Sequence, residues 1–130
     1  MQIKYIDYHR KGPKMKMTRI YTGSDGESHF EDLGKIQFKV EDDIGKLSEI
    51  IKVNNVRIHQ YGPDLNEDWH NPRWGHTYVI FLEGEQEIEA SDGTKRVFSY
   101  GDILLVEDLT GRGHRTRAKS ETGGMSVILT

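Results

Sequence analysis

Short alternating segments cut by glycine turns constrain this chain more than any other feature. Residues 35–40 run Lys-Ile-Gln-Phe-Lys-Val, polar and apolar in turn, which is the period of a half-buried strand. Residues 56–60, 76–82, 86–90, 96–98, 103–106 and 125–129 hold β-branched and aromatic side chains in equally short runs. Turn residues separate them: Gly23-Ser24-Asp25-Gly26, Tyr61-Gly62-Pro63, Ser91-Asp92-Gly93, Tyr100-Gly101-Asp102 and Gly111-Arg112-Gly113. Asp92-Gly93, set between two such runs, is a hairpin signal, because both residue types accept the positive φ that a tight turn needs. Strands this short, so closely spaced, predict an all-β sandwich or barrel. Only residues 42–52 hint at a helix, through Ile44, Leu47, Ile50 and Ile51, and those residues suit another strand equally well.

With 130 residues the chain fits one domain with a core of its own. It has no cysteine, so any metal site must be built from histidine and carboxylate. No apolar run approaches the roughly 18 residues of a membrane span. A soluble cytoplasmic protein without membrane partners is expected. Residues 1–17 hold five basic groups against Asp7 alone, a net +4, while the remainder holds 13 basic and 20 acidic groups, a net −7. A basic arm on an acidic body could attract nucleic acid, but no aromatic-interleaved basic platform or zinc-finger spacing accompanies it, and nucleic acid is not expected as a partner. The organisation expected is an N-terminal arm over 1–17 and a domain over 18–130. In the arm, Ile3-Lys4-Tyr5-Ile6-Asp7-Tyr8 has strand-like content before Gly12-Pro13 interrupts it. An added edge strand, paired within the chain or with another subunit, and a disordered tail are both open.

Two stretches carry the chemistry. Residues 68–84 read Asp-Trp-His-Asn-Pro-Arg-Trp-Gly-His-Thr-Tyr-Val-Ile-Phe-Leu-Glu-Gly, and residues 101–114 read Gly-Asp-Ile-Leu-Leu-Val-Glu-Asp-Leu-Thr-Gly-Arg-Gly-His. Together they resemble the two signature motifs of the cupin superfamily. The closer likeness is to small single-domain cupins of poorly defined function, which share the Asp-Trp-His segment and the Glu-Asp-x-Thr-Gly-x-Gly-His ending. That resemblance implies a double-stranded β-helix, a jelly-roll barrel related to sugar-nucleotide epimerases, and a ligand held inside it. It also implies a homodimer. Counted back from Gly84, the family's two histidines fall on His70 and Pro72 and its glutamate on Thr77; the second-motif histidine is His114. Half of the usual ligand set is therefore present. His70 and His114 are the candidate metal ligands, for Fe, Mn, Ni or Zn, with His59 or water completing the set.

Strand parity sorts the remaining candidates. If Thr77 points inward, so do Val79 and Phe81, and His76, Tyr78, Ile80 and Leu82 point outward under some covering layer. His114, Thr116 and Ala118 share one face of their strand and Arg115, Arg117 and Lys119 the other, so His114 faces inward. Arg57 and His59 share a face, which places them in the pocket if that face is interior. Trp69 and Trp74 flank His70 and could wall the pocket mouth; Arg57 and Arg73 could grip an anion. Asp108 is expected to orient its turn through backbone amides or simply to be solvated. The ligand pocket expected is thus Arg57, His59, Trp69, His70, Thr77, Val79, Phe81 and His114.

A small-molecule-binding protein is the leading functional expectation. The alternatives are a metal-dependent oxygenase or isomerase and a metal-free epimerase or isomerase with histidine as general base. A storage role ranks last, because it leaves the interior histidines unexplained. Nothing resembles a hydrolase nucleophile elbow.

Overall fold

The computed structural model describes residues 16–130. Those residues form twelve strands and no helix: β1 (Lys16–Thr22), β2 (Ser28–Lys35), β3 (Phe38–Asp42), β4 (Gly45–Ser48), β5 (Val56–Tyr61), β6 (Asn66–His70), β7 (Thr77–Glu83), β8 (Gln86–Ala90), β9 (Lys95–Phe98), β10 (Ile103–Glu107), β11 (His114–Ala118) and β12 (Gly124–Leu129). The expected arm over 1–17 lies outside the described residues except for Lys16 and Met17, which already belong to β1.

The strands lie in a six-stranded sheet, ordered β2-β1-β10-β7-β12-β5, a four-stranded sheet, ordered β6-β11-β8-β9, and the ribbon β3-β4. The all-β expectation holds. The sheets stay separate ladders and do not close into a barrel. From β5 onward the chain passes back and forth between the two larger sheets, pausing only at the β8–β9 hairpin within the four-stranded one, so each covers the other. Ile20, Phe81, Leu104 and Val106 from the six-stranded sheet meet Ile88, Ala90 and Phe98 from the four-stranded sheet, and these make the core. Phe81 and Phe98 stack across it at 5.3 Å. Each such aliphatic or aromatic side chain contributes about 1.5–3 kcal/mol on full burial.

Residues 42–52 are not helical. Asp42 Oδ1 accepts the Ile44 amide at 2.9 Å, and Gly45 takes a φ of 121°, so the chain reverses into a hairpin pairing Asp42 with Gly45. The spacing of Ile44, Leu47, Ile50 and Ile51 imitates a helical stripe without a surface to pack it on. Phe38, Val40 and Leu47 are exposed on this ribbon, so residues 38–40 are not the half-buried strand their alternation suggests. Among the described residues no helix is long and apolar enough to cross a membrane.

Candidate functional site

Inward-facing residues of both large sheets enclose a cavity of about 410 Å³. Parity operates as expected on the six-stranded side: Thr77, Val79 and Phe81 of β7 line it, with Leu104 and Val106 of β10, Ser126 and Ile128 of β12, and Arg57 and His59 of β5. Exposed Val56 and Ile58 alternate with Arg57 and His59 on the edge strand. His76 lies outside, 64% exposed and 3.1 Å from Glu107. On the four-stranded side, His114 and Thr116 are buried at the cavity. Arg115 and Arg117 point the other way and bond Glu89 and Glu87.

The cavity's polar end is set by one cross-strand pair. His114 of β11 lies opposite His70 of β6, with ring centroids 4.4 Å apart and edge to face. Three devices bring them together. Gly113 adopts a φ of 74°, and a β-carbon there would overlap the His70 carbonyl oxygen, so only glycine admits β6 this close. Ser28 donates its hydroxyl to the Gly113 carbonyl at 2.7 Å. Asn71 Nδ2 donates to the carbonyls of Asp108 and Thr110 at 2.9 and 3.1 Å, tying β6 to the turn before β11.

Asp108 does neither of the things expected of it. It is fully buried, and its Oδ2 lies 2.6 Å from His114 Nδ1. With the carboxylate accepting, a singly protonated ring carries its proton on Nδ1, leaving Nε2 as the free nitrogen at the cavity wall. His70 Nδ1 donates to the Asp68 carbonyl at 2.7 Å, and its Nε2 stands 3.3 Å from Glu67 Oε1. Glu67 is held in turn by Arg73 at 2.7 Å. An irregularity in the β6–β11 pairing pairs Thr116 with Glu67 rather than Asp68, so Glu67 and His70 both face the cavity despite their odd spacing.

One expected residue faces away, as plain alternation beside inward His70 requires. Trp69 is not on the cavity wall; its ring lies against the Arg112 and Arg115 guanidinium groups, at 4.3 and 5.0 Å. Trp74 takes the wall position, with Arg57 over its ring at 4.8 Å. The metal expectation also fares poorly on the donors present. No group of three or more His, Asp or Glu side chains is arranged to hold an ion among the described residues. His70 and His114 offer two imidazoles, which falls short of the three or four donors of a tight site; the Asp108 bond at His114 Nδ1 leaves its Nε2 open.

Beyond the cavity, Asp25 and Asp92 grip His29. Its Nε2 lies 2.9 Å from Asp25 and its Nδ1 3.1 Å from Asp92. The Asp25 hydrogen bond raises the His29 pKa; burial opposes it, and the charges of both carboxylates add to the rise. Asp25 is lowered, chiefly by its bond from His29. Burial works against ionisation of Asp92, but bonds from Thr94 and the charge of His29 outweigh it, and its pKa is lowered too.

Sequence reasoning missed Glu67, Ser126 and the role of Asp108. Ser126 had a signal, being the one hydroxyl in the apolar run 125–129. Glu67 had none, since simple alternation puts it on the face opposite His70.

No family model and no curated protein matches this sequence. Among solved structures, the chain is similar to protein NMB1881 from Neisseria meningitidis, at 23% identity over 63% of this chain and 79% of that one, with a TM-score of 0.45.

Proposed function

We propose that this chain is a cupin-type small-molecule-binding protein whose ligand lies between the two large sheets, beside His70 and His114. The observation that carries this reading is the cavity itself. A volume near 410 Å³ falls in the range of ligand sites, and its wall is mainly apolar with a few convergent polar groups. Alternation of the chain between two facing sheets supports the jelly-roll reading. A homodimer belongs to the same proposal: Tyr78, Ile80 and Leu82 form an apolar row on the outer face of β7, and a second copy of the chain would cover it.

The reading is tested on tag-free protein by native mass spectrometry, with the denatured protein extracted for small molecules. A bound organic molecule in the wild type, lost in folded His70→Ala and His114→Ala variants, is the expected result. Unfolding of either variant identifies that histidine as a core hydrogen-bonding residue and defeats the assignment.

One observation favours a second reading, metal-free acid–base catalysis. The 2.6 Å contact from Asp108 fixes the His114 ring and leaves Nε2 facing the cavity, which is the arrangement a general base requires. His70, with Glu67 beside its Nε2, can hold a proton to return. Solvent deuterium would then enter a carbonyl substrate at the adjacent carbon, and Asp108→Asn would slow that exchange without emptying the site.

A further inference from the structure

The cavity wall is more specific than a generic pocket. Its charged residues are Arg57, Arg73 and Glu67, two cations against one anion, so it carries +1 with its histidines neutral. The whole chain carries −3. Arg73 is already bonded to Glu67, at 2.7 Å. Arg57, exposed at the cavity rim, forms no ion pair with a carboxylate among the described residues and is braced instead on the Trp74 ring, at 4.8 Å. A guanidinium fixed on an aromatic face keeps its donors free for a planar anion.

A second group on the same wall lacks a partner. Ser126 is 1% exposed and its Oγ has no hydrogen-bond partner among the described residues. A buried hydroxyl left unpaired is destabilising, and a ligand oxygen would satisfy it. Ser126 pairs directly with His59 across β5 and β12. Arg57 stands two residues before His59 on the same face, a strand rise of about 7 Å. The apolar side chains of Val79, Phe81 and Ile128 share the wall with these groups.

From this spacing, and resting on the pocket reading above, we propose that the cavity selects a small organic carboxylate. Arg57 takes the carboxylate, Ser126 and His59 take a hydroxyl or carbonyl oxygen about 7 Å away, and a flat or short apolar body spans the gap. The probes are 4-hydroxybenzoate, its neutral counterpart 4-hydroxybenzamide, and benzoate. Binding is followed by calorimetry and by the imidazole NMR signals of His59, His70 and His114.

The acid should bind about tenfold or more tightly than the amide, the margin expected of a charge-assisted bidentate contact. Arg57→Gln should erase that margin. Ser126→Ala should bring 4-hydroxybenzoate down to the affinity of benzoate while leaving the preference for acid over amide. Equal binding of acid and amide, with the histidine signals shifted by both, overturns carboxylate selection and leaves the pocket reading intact. An unchanged acid-to-amide ratio in Arg57→Gln overturns it too. So does failure of all three probes to move the histidine signals, and the pocket reading is then decided by the co-purified ligand alone.

Discussion

Two histidine–carboxylate clusters in this molecule use the same groups in different surroundings. Asp108 and His114 are buried, and the ring contributes to a cavity wall. Asp25, His29 and Asp92 lie toward solvent, their side chains 54%, 29% and 24% exposed. Neighbouring residues serve the two clusters: Ser28 bonds the carbonyl of Gly113, just before His114, while His29 turns outward. In water a charged pair is screened and contributes little. In the interior the same pair is expensive to desolvate and strongly destabilising to break. A chain that needed only a link between turns has one at His29; the buried pair costs more than linkage requires, and its position on the cavity makes sense of that cost.

The largest effect should come from splitting the inner pair. Asp108→Ala leaves the buried His114 ring N–H without its acceptor and a void where the carboxyl was, and should lower unfolding free energy by about 3–4 kcal/mol, read from urea melts. Asp108→Asn keeps size and an acceptor, so its loss should be clearly smaller. If the alanine variant loses less than the asparagine variant, the inner pair is not the stabilising contact described here.

Next comes the geometry that brings the two rings together. Gly113→Ala must leave its φ of 74° or push β6 aside. A loss of about 2–4 kcal/mol is expected from strain and displaced backbone, along with loss of the mutual shift between the His70 and His114 ring signals. A stable variant with both signals unchanged would mean that β6 has room to move.

Much of the inner cluster was readable from sequence. Alternation around Thr77, Val79 and Phe81, and the basic face Arg115–Arg117 opposite His114, placed side chains correctly because regular strands have a period of two. What escaped notice depended on departures from that period. The irregularity in β6 turned Glu67 in, and no residue there announces it; Trp69 needed no irregularity, since alternation beside inward His70 already turns it out. Asp108 looked like an ordinary turn acid, because its burial depends on the packing of strands distant in sequence. The ribbon at 38–48 failed for the opposite reason: its pattern is that of a packed element, but it hydrogen-bonds to neither large sheet and its apolar side chains stay exposed.

A third comparison separates Glu67 from the pairs around it. Glu67→Gln removes the carboxylate that Arg73 and His70 share. Both partners are partly exposed, so stability should change by less than about 1 kcal/mol. The effect should appear instead at the His70 ring, which loses the carboxylate 3.3 Å from its Nε2 and should change its NMR chemical shifts. Unchanged His70 ring signals would show that Glu67 belongs to Arg73 alone.

The smallest effect, and the one with a definite sign, is the pH dependence of the outer cluster. The His29 pKa is raised above its ordinary 6.5, so its contribution is complete below that value and is lost as pH rises through the folded value. Asp25 and Asp92 are lowered from 3.8, so their contribution is complete above 3.8 and fades as pH falls through their folded values. The shifts on His29 and its two partners describe one set of contacts and count once. The clamp is therefore whole between 3.8 and 6.5. Melting temperatures of wild type and His29→Gln should differ most in that window and converge on the alkaline side, with high salt narrowing the gap because these groups face solvent. A gap that stays constant from acid to alkaline pH would mean that His29 holds the turns together as a neutral ring, and the contrast with the buried pair would then rest on burial alone rather than on charge.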